Sequence, residues 1–415
     1  MSGPRLAAMA WRNLWRNRRR TVLTLISISF GLFLAILMTA MQDRSFADMI
    51  DTAARLGGGH VTLQHPEYLD TPTLTRTVTD APALITTAQA DPGVRKAVPR
   101  ITGQIMLATA GESYGAFFVA YDPTQEDDTT LSFLGGVTQG ELFEAADGPG
   151  IVLGTRLARN LGLEMGDKVV YTLMDREGEI VGGLARLSGV VDTGSPATDG
   201  GLCLLPIDAL RRTLSYGPGE ATQVAVFLTD ARASGRVAER LGDTIGADTA
   251  SLTWQQVQPD LSGFIAMKVG GARFMELVTL ILVAASIFNT LFVSVMERMR
   301  EFGIMRAIGF SPGQLFRLIM WESFWLALVG CVMGGLITLG PYHKLASTGI
   351  DVSAMSGGQS MDVAGVGMAP ILQVGIFPEN LAIILLSVVL ATLLSGVYPA
   401  WKAGRVVPIE TIRLQ

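Results

Sequence analysis

The sequence predicts an integral membrane α-helical protein with four transmembrane helices and a large α+β extracytoplasmic domain of two subdomains. Three observations carry this reading. The 415 residues are 49% hydrophobic and only 17% charged, with a mean hydropathy of +0.39. That is too apolar for an ordinary soluble protein and too charged for one lying wholly in lipid. Four windows hold no charged residue at all: Thr21–Gln42, Leu277–Met296, Ser323–Tyr342 and Asn380–Trp401. A helix rises about 1.5 Å per residue, so ~20 residues cover the ~30 Å hydrocarbon core. Between the first two windows lies a long stretch that mixes helical and strand periodicities and is rich in acids.

The elements follow in order. Residues 1–20 hold six arginines (Arg5, Arg12, Arg16, Arg18, Arg19, Arg20) and no acid. Trp11, Leu14 and Trp15 fall at i, i+3 and i+4 among them. Tryptophan favours the headgroup level and arginine favours anionic lipid, so the segment reads as an interfacial helix contacting membrane lipids. The first span (21–42) is longer than the usual apolar core of a signal peptide, about 7–15 residues, and the nearest small-x-small site, Ser45-Phe46-Ala47, is weak; it reads as a retained span.

Residues 43–275 form the outside domain. They hold 29 acids against 18 Lys plus Arg, a balance of −11, which suits a soluble domain bound to neither anionic lipid nor nucleic acid. Asp43–Leu56 continues the first span as a helical stalk, and Gly57-Gly58-Gly59 breaks it. "HVTLQH" alternates as a strand, and "ALITTAQADPGVRKAVPRITGQIMLA" reads as helix, turn and strand. "GIVLGTRLARNLGLEMGDKVVYTL" reads as strand, helix with Leu157, Leu161 and Leu163, Gly-Asp turn and strand. "GAFFVAYD", "RLSGVVDTG" and "ATQVAVFLTD" read as further strands, and "ARASGRVAERLGDTI" as a helix. A second, β-rich subdomain is expected to start near Gly150.

The second span (276–296), a coupling segment (297–313), the third span (314–342), an outside loop (343–379), the fourth span (380–401) and a tail (402–415) complete the chain. Arg298, Arg300, Arg306 and Arg317 make the middle loop basic, and Lys402, Arg405 and Arg413 make the tail basic. By the positive-inside rule, these segments and residues 1–20 are cytoplasmic and 43–275 lies outside. The 343–379 loop, with its "AMSGGQSM", has no regular period. Glu322 lies just outside the third window, where it is expected to sit at the interface, because a carboxylate at mid-bilayer costs roughly 2.5–3.5 kcal/mol.

Catalytic chemistry is poorly represented. No G-x-x-x-x-G-K-[ST] occurs, and with only short segments outside the first and last spans no ATPase domain is expected in this sequence. "GESYG" (Gly111–Gly115) fits G-x-S-x-G with Ser113 as nucleophile, but a strand follows where that motif needs a helix, so a polar hairpin turn is expected. His60 and His65 fall on opposite faces of a strand, and His343 stands beside the third span. The acid run Glu126, Asp127 and Asp128 reads as a solvated turn. Cys203 and Cys331 lie in different phases, so no structural disulfide is expected. No metal or catalytic site is assigned. Four spans with no charge well inside them also argue against ion-coupled secondary transport.

One stretch is out of keeping with its place. "ERMREFGIMRAIGF" (Glu297–Phe310) carries charge between two apolar spans, yet Met299, Phe302, Met305 and Ile308 recur every three residues, an apolar stripe on a short helix ended by Gly309. Ser311, Pro312 and Gln314 then form a capping-box pattern that starts the next helix.

Extended to "ERMREFGIMRAIGFSPGQLFRLIMWES", this stretch resembles the signature of the FtsX-like permease family, the membrane subunits of MacB/LolCDE-type mechanotransmission ABC transporters. The pattern E-R-x-x-E-[IF]-G-x-x-[RK]-A-[IL]-G is met by Glu297, Arg298, Glu301, Phe302, Gly303, Arg306, Ala307, Ile308 and Gly309. "WRNLWRNRRRTVLTL", "GHVTLQ", "IVLGTRLARNLGLEMGD" and "YPAWKAGRVVPIETIR" are also similar to parts of that family, and 43–275 would be its MacB-like core domain. The resemblance implies a permease subunit, not an enzyme. Glu297, Arg298, Arg300, Glu301, Phe302, Gly303, Met305, Arg306, Ala307 and Gly309 would couple it to a cytoplasmic ABC ATPase subunit. This chain would bind no cofactor; ATP and Mg would enter through that partner. Its place would be the cell inner membrane, multi-pass, with both termini cytoplasmic.

Gly330 and Gly334 form G-x-x-x-G in the third span, and Gly31 and Ala35 a small-xxx-small pair in the first. Such faces admit close helix packing, either within the chain or with a second permease, a homodimer mate or paralogue. Further partners implied are an extracytoplasmic lipoprotein, carrier or adaptor. Lipoprotein release and trafficking, or export, is the leading expectation. The alternative is an FtsX-type regulator that activates a cell-wall hydrolase; the size of the outside domain argues against it.

Overall fold

Two helices of 39 residues each are much longer than any lipid crossing needs, and they divide the chain. The computed structural model describes residues 3–16, 18–351, 362–363, 366–367 and 371–405. The helices α1 (Gly3–Arg16) and α2 (Arg18–Leu56) open it. A mixed region follows: β1 (Val61–Gln64), α3 (Ala81–Gln89), β2 (Val94–Ala108), β3 (Ser113–Tyr121), β4 (Val137–Gly140), β5 (Gly150–Gly154), α4 (Thr155–Asn160) and β6 (Lys168–Met174). It continues with β7 (Ile180–Val191), α5 (Pro196–Asp199), β8 (Leu202–Pro206), α6 (Ile207–Thr213), β9 (Gln223–Leu228), α7 (Ser234–Thr244), β10 (Ala250–Thr253) and α8 (Trp254–Val257). The helices α9 (Pro259–Glu297), α10 (Met299–Ala307) and α11 (Pro312–Thr348) come next. Last are the two-residue strands β11 (Ile350–Asp351), β12 (Asp362–Val363), β13 (Val366–Gly367) and β14 (Ile371–Leu372), then α12 (Pro378–Gly404).

Two compact units result. The first takes the residues up to Ser45, Met267–Asp351 and those from Ile371 on; the second takes Phe46–Ala266 together with β12 and β13. In the first unit, four helices among the described residues are long and apolar enough to cross a membrane: α2, α9, α11 and α12. Each turns a stripe inward at three- and four-residue spacing, with Leu25, Ile28, Leu32 and Ile36 of α2 meeting Ile287 and Leu291 of α9, Leu326 of α11 and Ile384 and Val388 of α12. Their outer faces are just as apolar: Phe30, Leu282, Leu336 and Leu394 stand 59–71% exposed, which is what lipid contact requires. The Asp43 carboxylate accepts hydrogen bonds from the Phe377 backbone N–H (3.1 Å) and Asn380 Nδ2 (2.8 and 2.9 Å), placing a negative charge at the N-terminus of α12. Within the expected 343–379 loop, α11 runs on to Thr348 and β11 pairs antiparallel with β14. "AMSGGQSM", and Arg413 in the tail, lie outside the described residues.

The second unit is built on one ten-stranded sheet in the order β10-β1-β9-β2-β3-β8-β5-β7-β4, with β6 bridging β2 and β7. α2 stops at Leu56, and Gly59 turns the chain at φ +83°, where a Cβ would strike the Val226 backbone at 2.6–2.7 Å; only glycine fits there. "GESYG" runs from the turn between β2 and β3 into β3, with Ser113 opposite Ala108.

Three expectations need correction. The division near Gly150 is not a boundary, because β5 lies between β8 and β7 of the same sheet, and one core takes Val61 and Leu63, Ile101, Ile151, Leu187 and Val226 together. Partners change inside β2 instead: Val94–Arg100 pairs with β9 and Ile101–Ala108 with β3. The helix after β5 ends at Asn160, so Leu161 is its C-cap and Leu163 lies beyond it. Glu126 is not solvated. Its side chain is fully buried against Arg100, which supplies the compensating charge, while Asp127 and Asp128 remain exposed.

Candidate functional site

The site is the break between α9 and α11. Arg298, at φ −99° and ψ 9°, interrupts the helix and becomes the N-cap of the nine-residue α10. Gly309, at φ +103°, ends it. The Phe310 N–H donates to Met305 O (3.0 Å) and the Gly309 N–H to Arg306 O (3.1 Å), the two bonds of a Schellman motif. Met305 and Phe310 pack in the same cluster, as that motif favours. The expected capping box follows: Gln314 N–H donates to Ser311 Oγ (3.2 Å) and Ser311 N–H to Gln314 Oε1 (2.8 Å), with Pro312 at N1.

The apolar stripe of α10 faces the protein itself. Phe302 is fully buried, and Met299 and Met305 pack beside it against Val295, Leu315, Ile319, Ala400 and Ala403. Gly303 is buried as well. Ile308 departs from the stripe, at 72% exposure, because Gly309 turns the chain there. The outward surface of α10 and its turn is therefore Arg300, Ile304, Ala307, Ile308 and Gly309, with Ile304 49% exposed. Ile304 was not singled out by sequence. Its only signal is an apolar residue one turn before Ile308.

Part of the motif's charge also turns inward, while Glu297 and Arg300 stay exposed. Arg298 Nη1 donates to Glu322 Oε2 (2.9 Å) and Oε1 (3.2 Å), and its Nε to Glu301 Oε2 (3.3 Å). Its guanidinium lies 5.2 Å from the centre of the Phe302 ring. Glu301 Oε1 pairs with Arg16 Nη2 at 2.8 Å, and Asn13 Nδ2 donates to Glu322 Oε1 at 2.9 Å. Trp325 Nε1 donates to Ala7 O (3.1 Å) and Trp11 packs edge-on against Trp325, so α1 is fastened to α11. Arg306 reaches the Phe310 carbonyl (3.2 Å), inside its own turn. Glu297 is the exposed last residue of α9. Glu322, which sequence placed at the interface, is 9% exposed and paired with Arg298 and Asn13. Its signal was a lone acid one residue before a charge-free window.

The packing glycines are used within the chain. A Cβ on Gly330 would come to 2.5 Å of Ile28 Cγ2, and one on Gly334 to 2.9 Å of Leu32 Cδ2, so α11 presses against α2. Gly31 faces Val283 of α9 at 2.8 Å in the same sense, and Ala35 is partly buried in this cluster. These faces are occupied and do not offer themselves to a second permease. Among the described residues, no group of three His, Cys, Asp or Glu is placed to hold a metal. Cys203 and Cys331 are free thiols, and burial pushes Cys203 far above the ordinary thiol range.

Comparison with known proteins gives two family matches. The family described as MacB-like periplasmic core domain matches residues 21–244, more than half of the chain, and FtsX-like permease C-terminal matches residues 273–408. The chain is 25% identical over 345 residues to the lipoprotein-releasing system transmembrane protein LolC of Xylella fastidiosa (strain 9a5c), covering 79% of this chain and 80% of that one. It is 32% identical over 154 residues to the ABC transporter permease YtrF of Bacillus subtilis (strain 168), covering 36% of this chain and 33% of that one. The crystal structure of the periplasmic region of MacB from Actinobacillus actinomycetemcomitans aligns over 49% of this chain and 94% of that one, at 13% identity and a TM-score of 0.34.

Proposed function

Since this chain belongs to the family of ABC transporter permeases that join a MacB-like periplasmic core domain to an FtsX-like permease region, we propose that it couples ATP hydrolysis by a separate cytoplasmic ATPase chain to movements of its extracytoplasmic domain. The observation that carries this is the outward surface of α10. Two exposed isoleucines one turn apart, Ile304 and Ile308, are flanked by Arg300 on a short helix fixed at both ends. Such a knob suits a groove on a partner, with the charge setting register. The chain has no phosphate-binding G-x-x-x-x-G-K-[ST], so ATP and Mg would be held by the partner. α10 is bracketed by α9 and α11, and α9 and α2 run 39 residues each, stiff elements through which a push on α10 would travel.

The cargo proposed is a lipoprotein handled outside the membrane, in keeping with the lipoprotein-releasing system to which the LolC relative belongs. The test is to purify the tagged full chain in mild detergent and identify what comes with it by mass spectrometry. An ATPase with a lipoprotein or periplasmic carrier is expected. An ATPase with an adaptor or outer-membrane channel would turn the cargo reading to export, and no ATPase at all would sink the coupling proposal. A second permease, identical or paralogous, is also expected in that complex.

The orientation proposed, with both termini in the cytoplasm, is tested by thiol labelling in intact cells. In a background with Cys203 and Cys331 replaced, Gly200→Cys is expected to react with an impermeant maleimide from outside and Arg405→Cys only after permeabilisation. The reverse pattern overturns it.

A further inference from the structure

A cavity of about 290 Å³ lies in the first unit, where the arginine-rich α1 meets the adjacent ends of α2, α9 and α11. Asn13, Thr24, Thr290, Ser294, Arg298 and Glu301 are among its lining residues. Most of this lining is polar, although Thr24, Thr290 and Ser294 belong to segments that are otherwise apolar enough to span a membrane. Arg298 contributes two nitrogens to Glu301 and Glu322, but its Nη2 is buried and has no hydrogen-bond partner among the described residues. A buried guanidinium N–H left unmade is costly, so a turn of the Arg298 side chain toward an acceptor in the cavity it lines would be favoured.

The cavity's charges balance: Arg16 and Arg298 stand against Glu301 and Glu322. A simple anion would upset that balance, whereas a ligand with one charge of each sign would keep it. Its level is set by α1, whose Trp11 and Trp15 are 38% and 39% exposed beside arginines, the composition of a helix lying among headgroups.

We propose that this cavity binds the headgroup of an aminophospholipid, with the phosphodiester facing the Arg16 and Arg298 side chains that line it and the ammonium facing Glu301. The bound lipid would tie α1 to the Arg298 network, making the α9–α11 break sensitive to the lipid around it. This rests on the membrane placement of the helices and not on the ATPase reading, so the two fail separately.

The full chain is reconstituted in nanodiscs of phosphatidylcholine with equal parts of phosphatidylethanolamine and phosphatidylglycerol. It is then re-extracted in mild detergent, and the lipid that stays with it is quantified. Phosphatidylethanolamine is expected to be enriched over both other lipids, and soluble phosphoethanolamine, but not inorganic phosphate, is expected to displace it. Arg298→Gln should weaken retention about tenfold, the effect of one charge-assisted hydrogen bond. Ser294→Leu, which fills the cavity while leaving the Arg298 pairs in place, should do the same. Retained lipid that follows the bulk composition, equal enrichment in either variant, or displacement by inorganic phosphate alone overturns the proposal.

Discussion

Ile308→Asp is expected to cost the ATPase complex about 2 kcal/mol or more, a loss of roughly thirtyfold in affinity, while the chain still inserts and folds. Ile308 is 72% exposed, so a charge there is cheap in the free chain. In a groove that covers the side chain, the same carboxylate must be desolvated without a partner. Ile304→Asp should act in the same direction, and the pair should be less than additive because the two side chains enter one groove. The check is co-purification with the ATPase together with ATP turnover in the reconstituted complex. Unchanged copurification in both variants would mean that this surface is not where the ATPase sits. Phe302→Ala serves as the contrast. Phe302 is fully buried, so truncation costs about 3–5 kcal/mol of folding free energy and should lower thermal stability instead.

That contrast shows what could and could not be read in the sequence. The spans were legible because a charge-free apolar window of that length is rare in any helix that does not cross lipid. The Ser311–Gln314 cap was legible because its bonds join residues three apart. The recurrence of Met299, Phe302 and Met305 located α10, but not the side on which it is covered. Its cover comes from Leu315, Ile319, Ala400 and Ala403, which no local pattern connects to it. The same applies to the charges. Glu301 looked available for a partner, yet Arg16 and Arg298 claim it, so Glu301→Lys would confound docking with packing inside the chain. Gly330 and Gly334 announced a close helix contact without saying with what; the answer is Ile28 and Leu32, some 300 residues earlier in sequence. At His60 the strand alternation spoke only against a metal pair with His65. The residue is 1% exposed, its Nδ1 accepts from the Leu228 N–H (3.0 Å), and its Nε2 faces Asp51 Oδ1 (3.0 Å).

Arg100→Ala is expected to destabilise the second unit by about 3–5 kcal/mol, the usual cost of leaving one member of a buried ion pair alone. Neither Arg100 nor Glu126 has any exposed side-chain surface. Arg100 Nε donates to Glu126 Oε1 (2.8 Å), Nη2 donates to Glu126 Oε2 (2.5 Å) and Thr130 O (2.8 Å), and Nη1 donates to Gly57 O. Its guanidinium also lies 5.6 Å from the centre of the Phe227 ring. In a domain of this size the loss corresponds to a fall in melting temperature on the order of 10 °C, read in detergent on the full chain. Arg100→Met combined with Glu126→Leu separates two roles. Replacing both charges by apolar groups of similar volume is often near neutral, so most of the stability should return. The Gly57 carbonyl, just past the last residue of α2, would still lack its donor, and a cation would still be missing from the negative end of that helix. If α2 transmits force, the double variant should therefore fold almost normally, and yet its complex with the ATPase should release less cargo per ATP hydrolysed. Full recovery of both stability and coupling would reduce Arg100 to a packing element. A melting temperature for Arg100→Ala within about 1 °C of the parent would remove the ion pair from the argument altogether.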